Sequence, residues 1–365
     1  MTILGDLLHV LCEQANWALQ EDYDNSGLLV GDRSQPVTRV LVALDVNEAV
    51  IDEAVLNQCD VVVAHHPAVF KPVRQITADT ATGRILLKAV RHNIALIAMH
   101  TNLDNHFLGV NHELANRLGL TGLRILSPLD GKFRKLSTYV PHEHAGHVRR
   151  AMHEAGAGKI GQYDSCSYNT DGYGTFRAGD QASPFVGEPG VVHAEPEMKI
   201  EVVYPQWIER DVVAALKKAH PYEEVAYDLV QLQNTLPDTG AGMIGVFEKP
   251  MPEEEFLALV KENLGAPMLR HTQLTGRLIG KVAVCGGSGS FLIGRASQAG
   301  ADAFLTGDVK YHEFFDAPAS ILFVDAGHYE TEQFTVQLLT RYITEKFPNF
   351  AVLISEVNTN PVYYF

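Results

Sequence analysis

VVVAHHP, residues 61–67, sets four apolar residues, three of them β-branched, directly against two histidines. A run this short and this continuously apolar fits a strand buried on both faces. Two other segments repeat the form. In IALIAMHTNLD, residues 94–104, His100 stands at the end of an apolar run and Asp104 follows four residues on. In ILFVDAGHYETE, residues 321–332, Asp325 ends the run, and His328 and Glu332 come after it. Ligands of open α/β sheets collect outside the carboxyl ends of the strands. Three strand ends therefore offer imidazoles and carboxylates to one place.

Strands and helices alternate around these segments. Residues 39–45, 60–64 and 94–99 read as strands, and 47–57, 84–92 and 109–118 as helices. YDNSGLLVG, residues 23–31, reads as a polar turn and then an apolar strand. This is the pattern of a doubly wound α/β layer. The texture changes near Ser127. Strands at 135–140, 198–204 and 225–232 and helices at 142–155 and 209–219 predict a small α+β domain with an antiparallel sheet. Within it, the stretch 158–190, rich in Gly, Ser, Asp and Tyr, predicts loops and hairpin turns. From about Pro237 the first texture returns, with helices at 252–264, 294–299 and 330–347 and strands at 280–285, 303–305 and 321–325. The expected organisation is one α/β domain, residues 1–126 plus 237–365, interrupted by an inserted domain, residues 127–236.

Composition narrows the function. The chain has 365 residues, 46% of them hydrophobic, enough for two cores. Its formal net charge of −15 repels phosphate backbones, so nucleic acid is not an expected partner. The four cysteines, Cys12, Cys59, Cys166 and Cys285, form no Cys-x-x-Cys pair and read as free thiols in a reducing compartment. Residues 1–17 read as an amphipathic helix rather than a signal peptide, and no apolar run reaches the roughly 18 residues of a membrane span. The expectation is a soluble, cytoplasmic protein with no membrane partner.

His328 and Glu332 stand at i, i+4, so a helix starting near residue 328 puts both on one face. Adjacent His65 and His66, in a loop just past a strand, can diverge towards two neighbouring ions. Imidazole and carboxylate donors without thiolates suit zinc, iron, manganese or nickel and argue against a structural zinc finger. A carboxylate such as Glu332 can bridge two ions, which together activate water near neutral pH. A lone strand-end histidine is ordinarily structural; three such ends in one chain favour a site. Other motifs read more plainly. CGGSGS, residues 285–290, lacks both the dinucleotide spacing and a Walker lysine, and reads as a tight strand-to-helix turn, with a backbone cradle for a phosphorylated or anionic substrate as the alternative. Asp24, Asn25 and Ser26 read as turn or cap residues. Asp308, Lys310 and His312 read mainly as loop chemistry. Lys310, His312 and His100 are the candidate proton donors for a catalytic role. Among serines there is no nucleophile elbow and no Ser-His-Asp arrangement.

AHHPAVF, MHTNLDNHFLGVNHELA, CGGSGS, LTGDVKYHE and DAGHYETE occur in this order. In that order they resemble the GTP cyclohydrolase 1 type 2 homologs, the NIF-three-like dinuclear-metal proteins. The long stretch from residue 158 and AHPYEEVAYDLV resemble the insert of that family's longer members. Ala64 and Ala68 stand where family members often carry Ser and Leu. The resemblance implies a NIF-three-like α/β/α domain with an inserted ferredoxin-like domain akin to PII and CutA proteins. It also implies a toroidal homohexamer and two divalent metal ions per subunit. The ligands it implies are His65, His66, Asp104, His328 and Glu332. Glu332 would bridge, His66 and Asp104 would sit on one ion, and His65 and His328 on the other. The activity implied is that of a metal-dependent hydrolase acting on a C–N or phosphate-type bond, with a GTP-like purine nucleotide as candidate substrate. The alternative is a non-enzymatic hexamer that stores, delivers or senses metal or a small ligand.

Overall fold

The computed structural model describes residues 2–365. The chain forms two compact units, Met1–Pro128 with Pro237–Phe365, and Leu129–Leu236.

The first unit contains two sheets. One is built from β1 (Gly27–Val30), β2 (Arg39–Ala43), β3 (Val61–Ala64), β4 (Ala95–Ala98) and β15 (Ala351–Ile354), in the order β1-β4-β3-β2-β15. All neighbours are parallel except β1, which runs antiparallel to β4. Every residue of β3 and β4 is buried. Side chains alternate between two faces, as the pleat requires. Val40, Val42, Val61 and Val63 pack on the helices Leu4–Gln14 and Thr335–Lys346. Leu41, Ala43 and Val62 pack on the helices Glu48–Leu56 and Ala81–Arg91. Burying each such Val or Leu contributes about 1.5–3 kcal/mol. Two side-chain caps start the outer helices: Asn47 Oδ1 accepts from Val50 N at 2.9 Å, and Thr80 Oγ1 from Gly83 N at 3.0 Å. Thr80 is why the helix expected at 84–92 begins three residues earlier.

The second sheet holds β5 (Thr121–Leu129), β10 (Leu236–Met251), β11 (Arg270–His271), β12 (Ile279–Ser288), β13 (Ala303–Gly307) and β14 (Leu322–Asp325). Its order is β11-β14-β13-β12-β10-β5, with β12, β13 and β14 parallel. Val282, Leu305 and Val324 face one core, and Ala283, Phe304 and Phe323 the other, where the two rings stack at 5.5 Å.

The second unit runs β6 (Phe133–Pro141), helix His142–Glu154, β7 (Tyr168–Arg177), β8 (Val192–Pro205), helix Glu209–Ala219, β9 (Tyr227–Leu232). Its antiparallel sheet has the order β7-β8-β6-β9. This β-α-β-β-α-β order with the first strand central is the ferredoxin-like arrangement. Leu136, Val148, Ile200, Val202, Tyr204 and Leu216 build its core.

Three expectations need correction. The stretch 158–190 is not all loop, because β7 pairs with β8 over ten residues. Nearly all of its side chains are exposed, so no apolar alternation marks it. The helix expected at 330–347 is two helices, His328–Glu332 and Thr335–Lys346. In the short first helix the Thr331 hydroxyl reaches back to the carbonyls of Gly327 and His328, both at 2.9 Å. The glycine run after Cys285 does not turn at once, because β12 continues through it to Ser288. The four cysteines are free thiols. Among the described residues no helix is long and apolar enough to cross a membrane.

Candidate metal centre

His65 and His66 follow β3, His100 and Asp104 follow β4, and His328 and Glu332 share the short helix after β14. The carboxyl ends of two sheets thus meet across one cavity of about 850 Å³. Three sets of potential ligand atoms form there, each within 4.8 Å: His65 with Asp104 and Glu332; His66 with His328 and Glu332; His65 with His66 and His100.

Each imidazole is held the same way. Nδ1 of His65 lies 2.7 Å from the Met99 carbonyl, His66 Nδ1 2.7 Å from Asp45 Oδ1, His100 Nδ1 2.7 Å from Asp24 Oδ1, and His328 Nδ1 2.7 Å from Asp308 Oδ2. These acceptors fix the proton on Nδ1 and turn Nε2 towards the centre. At His65 the consequence is sharp. Its Nε2 is a bare lone pair, 3.7 Å from Asp104 Oδ1 and 3.7 Å from Glu332 Oε1. Both His65 Nε2 and Asp104 Oδ1 are buried without a hydrogen-bond partner. Three acceptors facing one another with no donor among them are costly when buried, and a cation is what would satisfy them. The residues fit a divalent metal ion.

The outer imidazoles differ. Glu332 Oε2 lies 2.9 Å from both His66 Nε2 and His328 Nε2, which are 3.2 Å apart. Burial pushes both pKa values down. Carboxylates at both nitrogens outweigh it and raise His66 to about 10 and His328 to about 11. Burial raises Asp104, and the nearby Glu332 charge adds to this. Glu332 is held well below the ordinary carboxylate range: burial opposes its charge, and His328 and His65 overcome that. Burial likewise opposes ionisation of Asp24, but hydrogen bonds from His100 and Thr101 hold it low.

Backbone geometry makes room for the bridging position. A Cβ at Gly287, whose φ is +60°, would lie 2.3 Å from Glu332 Oε1. The glycine run therefore admits Glu332 to the centre. Asp308 takes φ 54°, a left-handed conformation that Asp tolerates better than most residues, and this aims its carboxylate at His328.

The structure brings together His65, His66, Asp104, His328 and Glu332, and adds His100 at ligand distance. The grouping differs from the one the resemblance implies: Asp104 lies with His65, and His328 with His66. Lys310 and His312 are not brought in. The Lys310 side chain is 84% exposed with its ammonium 3.7 Å from Glu313, and His312 is exposed beside Tyr311 and Phe315. Neither lines the cavity, because residues 311–316 turn away as a short 3₁₀ segment. Asp45 was not singled out in the sequence, although RVLVALD has the same form of apolar strand ending in a polar ligand. Asp24 read as a turn residue, and only the fold brings it against His100. Asp325 is no ligand: it accepts from the amides of Val309 and Gly327 and pairs with Arg270, tying the turn that carries Asp308 to the one that carries His328.

Fold and site together define a class: an α/β protein whose paired sheets present a buried histidine–carboxylate centre suited to divalent cations. Residues 2–361 match the Duf34/NIF3 (NGG1p interacting factor 3) family. The chain belongs to that family. It is 39% identical over 344 residues to the GTP cyclohydrolase 1 type 2 homolog of Bacillus subtilis, covering 93% of this chain and 92% of that one. It is 40% identical over 349 residues to the protein of the same name from Halalkalibacterium halodurans, covering 94% of each. Its fold matches the crystal structure of a Bacillus cereus protein related to NIF3, with a TM-score of 0.83 and 35% identity over 100% of this chain and 99% of that one.

Proposed function

We propose that this chain holds two divalent cations that share Glu332 and that it is a metal-dependent hydrolase. One ion would lie among His65, Asp104 and Glu332, the other among His66, His328 and Glu332. The observation that carries this reading is the pair of donor groups with one carboxylate in common, one group left without any hydrogen-bond donor, opening on a substrate-sized cavity. Two such ions supply Lewis acidity and a water activated near neutral pH. The chain's own part is to fix four imidazoles through their Nδ1 atoms and to keep Glu332 ionised. His100 lines the cavity with its Nδ1 on Asp24, which leaves its Nε2 to exchange a proton with a substrate. The relatives' name makes a purine ring the candidate reacting group, with water adding across a ring C–N bond: the C–N bond breaks, a C–O bond forms, and the nitrogen takes the proton.

The test is metal analysis of protein purified without chelator, with hydrolysis assays on wild type and Glu332→Gln. Two ions per chain and turnover, both lost in the variant, are expected. Protein near zero occupancy, or turnover that survives in the metal-poor variant, overturns the reading. A second reading is a metal- or ligand-holding assembly without turnover, for which we propose the homohexamer as the form. It is favoured by the second unit, whose edge strand β7 exposes Tyr168 and Tyr173. A monomer by sedimentation would count against it.

A further inference from the structure

We infer that the cavity takes a planar, N–H-bearing heterocycle that is uncharged or cationic, and that it discriminates against nucleoside triphosphates. This rests on the proposal that the cavity is the reaction site, and it deepens that proposal by naming the substrate class.

The first observation is charge. Asp104 and Glu332 lie at the centre, Asp45 and Asp308 hold the imidazoles, and Glu21, Asp325 and Glu330 also line the cavity. These seven carboxylates face one guanidinium, Arg270, which is already paired with Asp325. With the carboxylates ionised and the imidazoles neutral the formal balance is −6, and the four positive charges of two divalent ions leave it at −2; two imidazolium protons in place of the ions leave the metal-free cavity at −4, so it stays negative in both forms. A triphosphate brings up to four more negative charges into this cleft and finds, among the described residues, no lysine lining it and no arginine but the paired Arg270. Phosphate-binding sites ordinarily supply such groups; the two helices whose first residues line this cavity, Thr101–Asp104 and His328–Glu332, are four and five residues long and each ends in a carboxylate of the centre.

The second observation is the wall. Tyr23, Phe70, Phe291 and Tyr364 line the cavity while 67%, 45%, 70% and 42% exposed. Large rings left open to solvent around one concavity mark a binding surface. Phe70 stands edge-on to His100 at 6.0 Å and 6.3 Å from Tyr23, so a line of rings leads from the rim to the imidazoles. Flat aromatic faces suit a flat ligand, and carboxylates that can only accept hydrogen bonds suit ring N–H donors.

A charge ladder on one ring system tests this. Binding of 7-methylguanosine, guanosine (neutral) and GTP is measured by calorimetry on metal-stripped and on zinc-loaded protein, at a pH below neutrality where 7-methylguanosine keeps its N1–H and is a cation. Metal content is determined on the same samples. The expected order in both forms is 7-methylguanosine, guanosine, then GTP, with GTP at least roughly fivefold weaker than guanosine at low ionic strength and the gap narrowing with salt. Phe291→Ala should weaken all three about equally, by roughly tenfold. Glu21→Gln, which keeps an acceptor for the Asn105 amide, should narrow the gap between guanosine and GTP. GTP binding as tightly as guanosine, or no binding of any of the three to zinc-loaded protein, overturns the inference. A metal content near zero with the ladder intact sinks the dinuclear proposal instead and leaves this one standing.

Discussion

His65 and His66 are chain neighbours, yet they face different chemistry. His65 is fully buried, donates Nδ1–H to a backbone carbonyl, and points a bare Nε2 at two carboxylates 3.7 Å away. The His66 side chain is 19% exposed and, like His328, has a carboxylate at both ring nitrogens. The inner half of the centre is thus a set of acceptors waiting for a cation. In the outer half, protons on His66 and His328 already play the cation's part. One donor chemistry thus yields two kinds of site. The inner one is preorganised around a fully buried His65; in the outer one metal and protons compete.

Both halves depend on the shared carboxylate. Glu332→Gln keeps the shape but removes the charge both groups use. Both ions should be lost, with affinity falling by more than the roughly 10–100-fold that loss of an outer partner costs. Mass-spectrometric metal counting checks it, and a variant that keeps one ion would mean Glu332 serves only one half.

The grouping can be sharpened next. If His65 and Asp104 hold the same ion, His65→Asn and Asp104→Asn each cost one ion per chain, and the double variant costs no more. If Asp104 belongs with His66, the double variant loses both. Metal stoichiometry of the three proteins decides between the geometry and the pairing implied by the family resemblance.

Acidity separates the halves further. His66 and His328, raised to about 10 and about 11, carry protons at neutral pH in the metal-free protein, and an entering ion must expel them. Outer-ion affinity should therefore rise with pH across 6–9, by up to about tenfold per unit for each proton released. Chelator competition measures this, and calorimetry in buffers of different ionisation enthalpy counts the protons. A flat profile would refute it. The sign for stability is opposite. The raised pKa values stabilise the metal-free fold fully below about 6.5, and that contribution is lost as pH climbs through 10 to 11.

The carboxylates behind the imidazoles have a smaller role. Asp308→Asn keeps an acceptor for His328 Nδ1 but loses the charge, and should weaken the outer ion by roughly 10–100-fold while sparing the inner one.

How far the sequence could have led follows from where each residue lies. β3 and β4 are buried on both faces, so their apolar runs stand out, and ligands at their ends are legible by position. The ferredoxin-like unit was legible because its helices at 142–154 and 209–219 carry clear amphipathic patterns. β7 was not, because its pairing is made by backbone and its side chains face solvent. Asp24 and Asp45 were hidden for another reason. Their partners His100 and His66 are 76 and 21 residues away, and for Asp24, beside Asn25 and Ser26, turn chemistry is explanation enough without a partner. The break between the helices at Gln333 and Phe334 was invisible because nothing in QFTVQLL stops a helix by propensity, and both residues keep right-handed helical backbone angles.

Lys310 gives the smallest expected effect. TGDVKYH places it two residues from Asp308, and by sequence it was a candidate acid. Yet the left-handed turn at Asp308 sends that carboxylate to His328, while the chain leaves the cavity and Lys310 extends into solvent towards Glu313. An exposed ion pair of this kind contributes about 0–1 kcal/mol. Lys310→Ala should leave metal content at two ions per chain and binding of guanosine unchanged, with a stability change within about 0.5 kcal/mol. A turnover loss in this variant with metal content intact would mean that the ammonium reaches a reacting atom in some other arrangement, such as one completed by a second copy of the chain. The contrast between inner and outer halves would then have to include a third, imported, contributor.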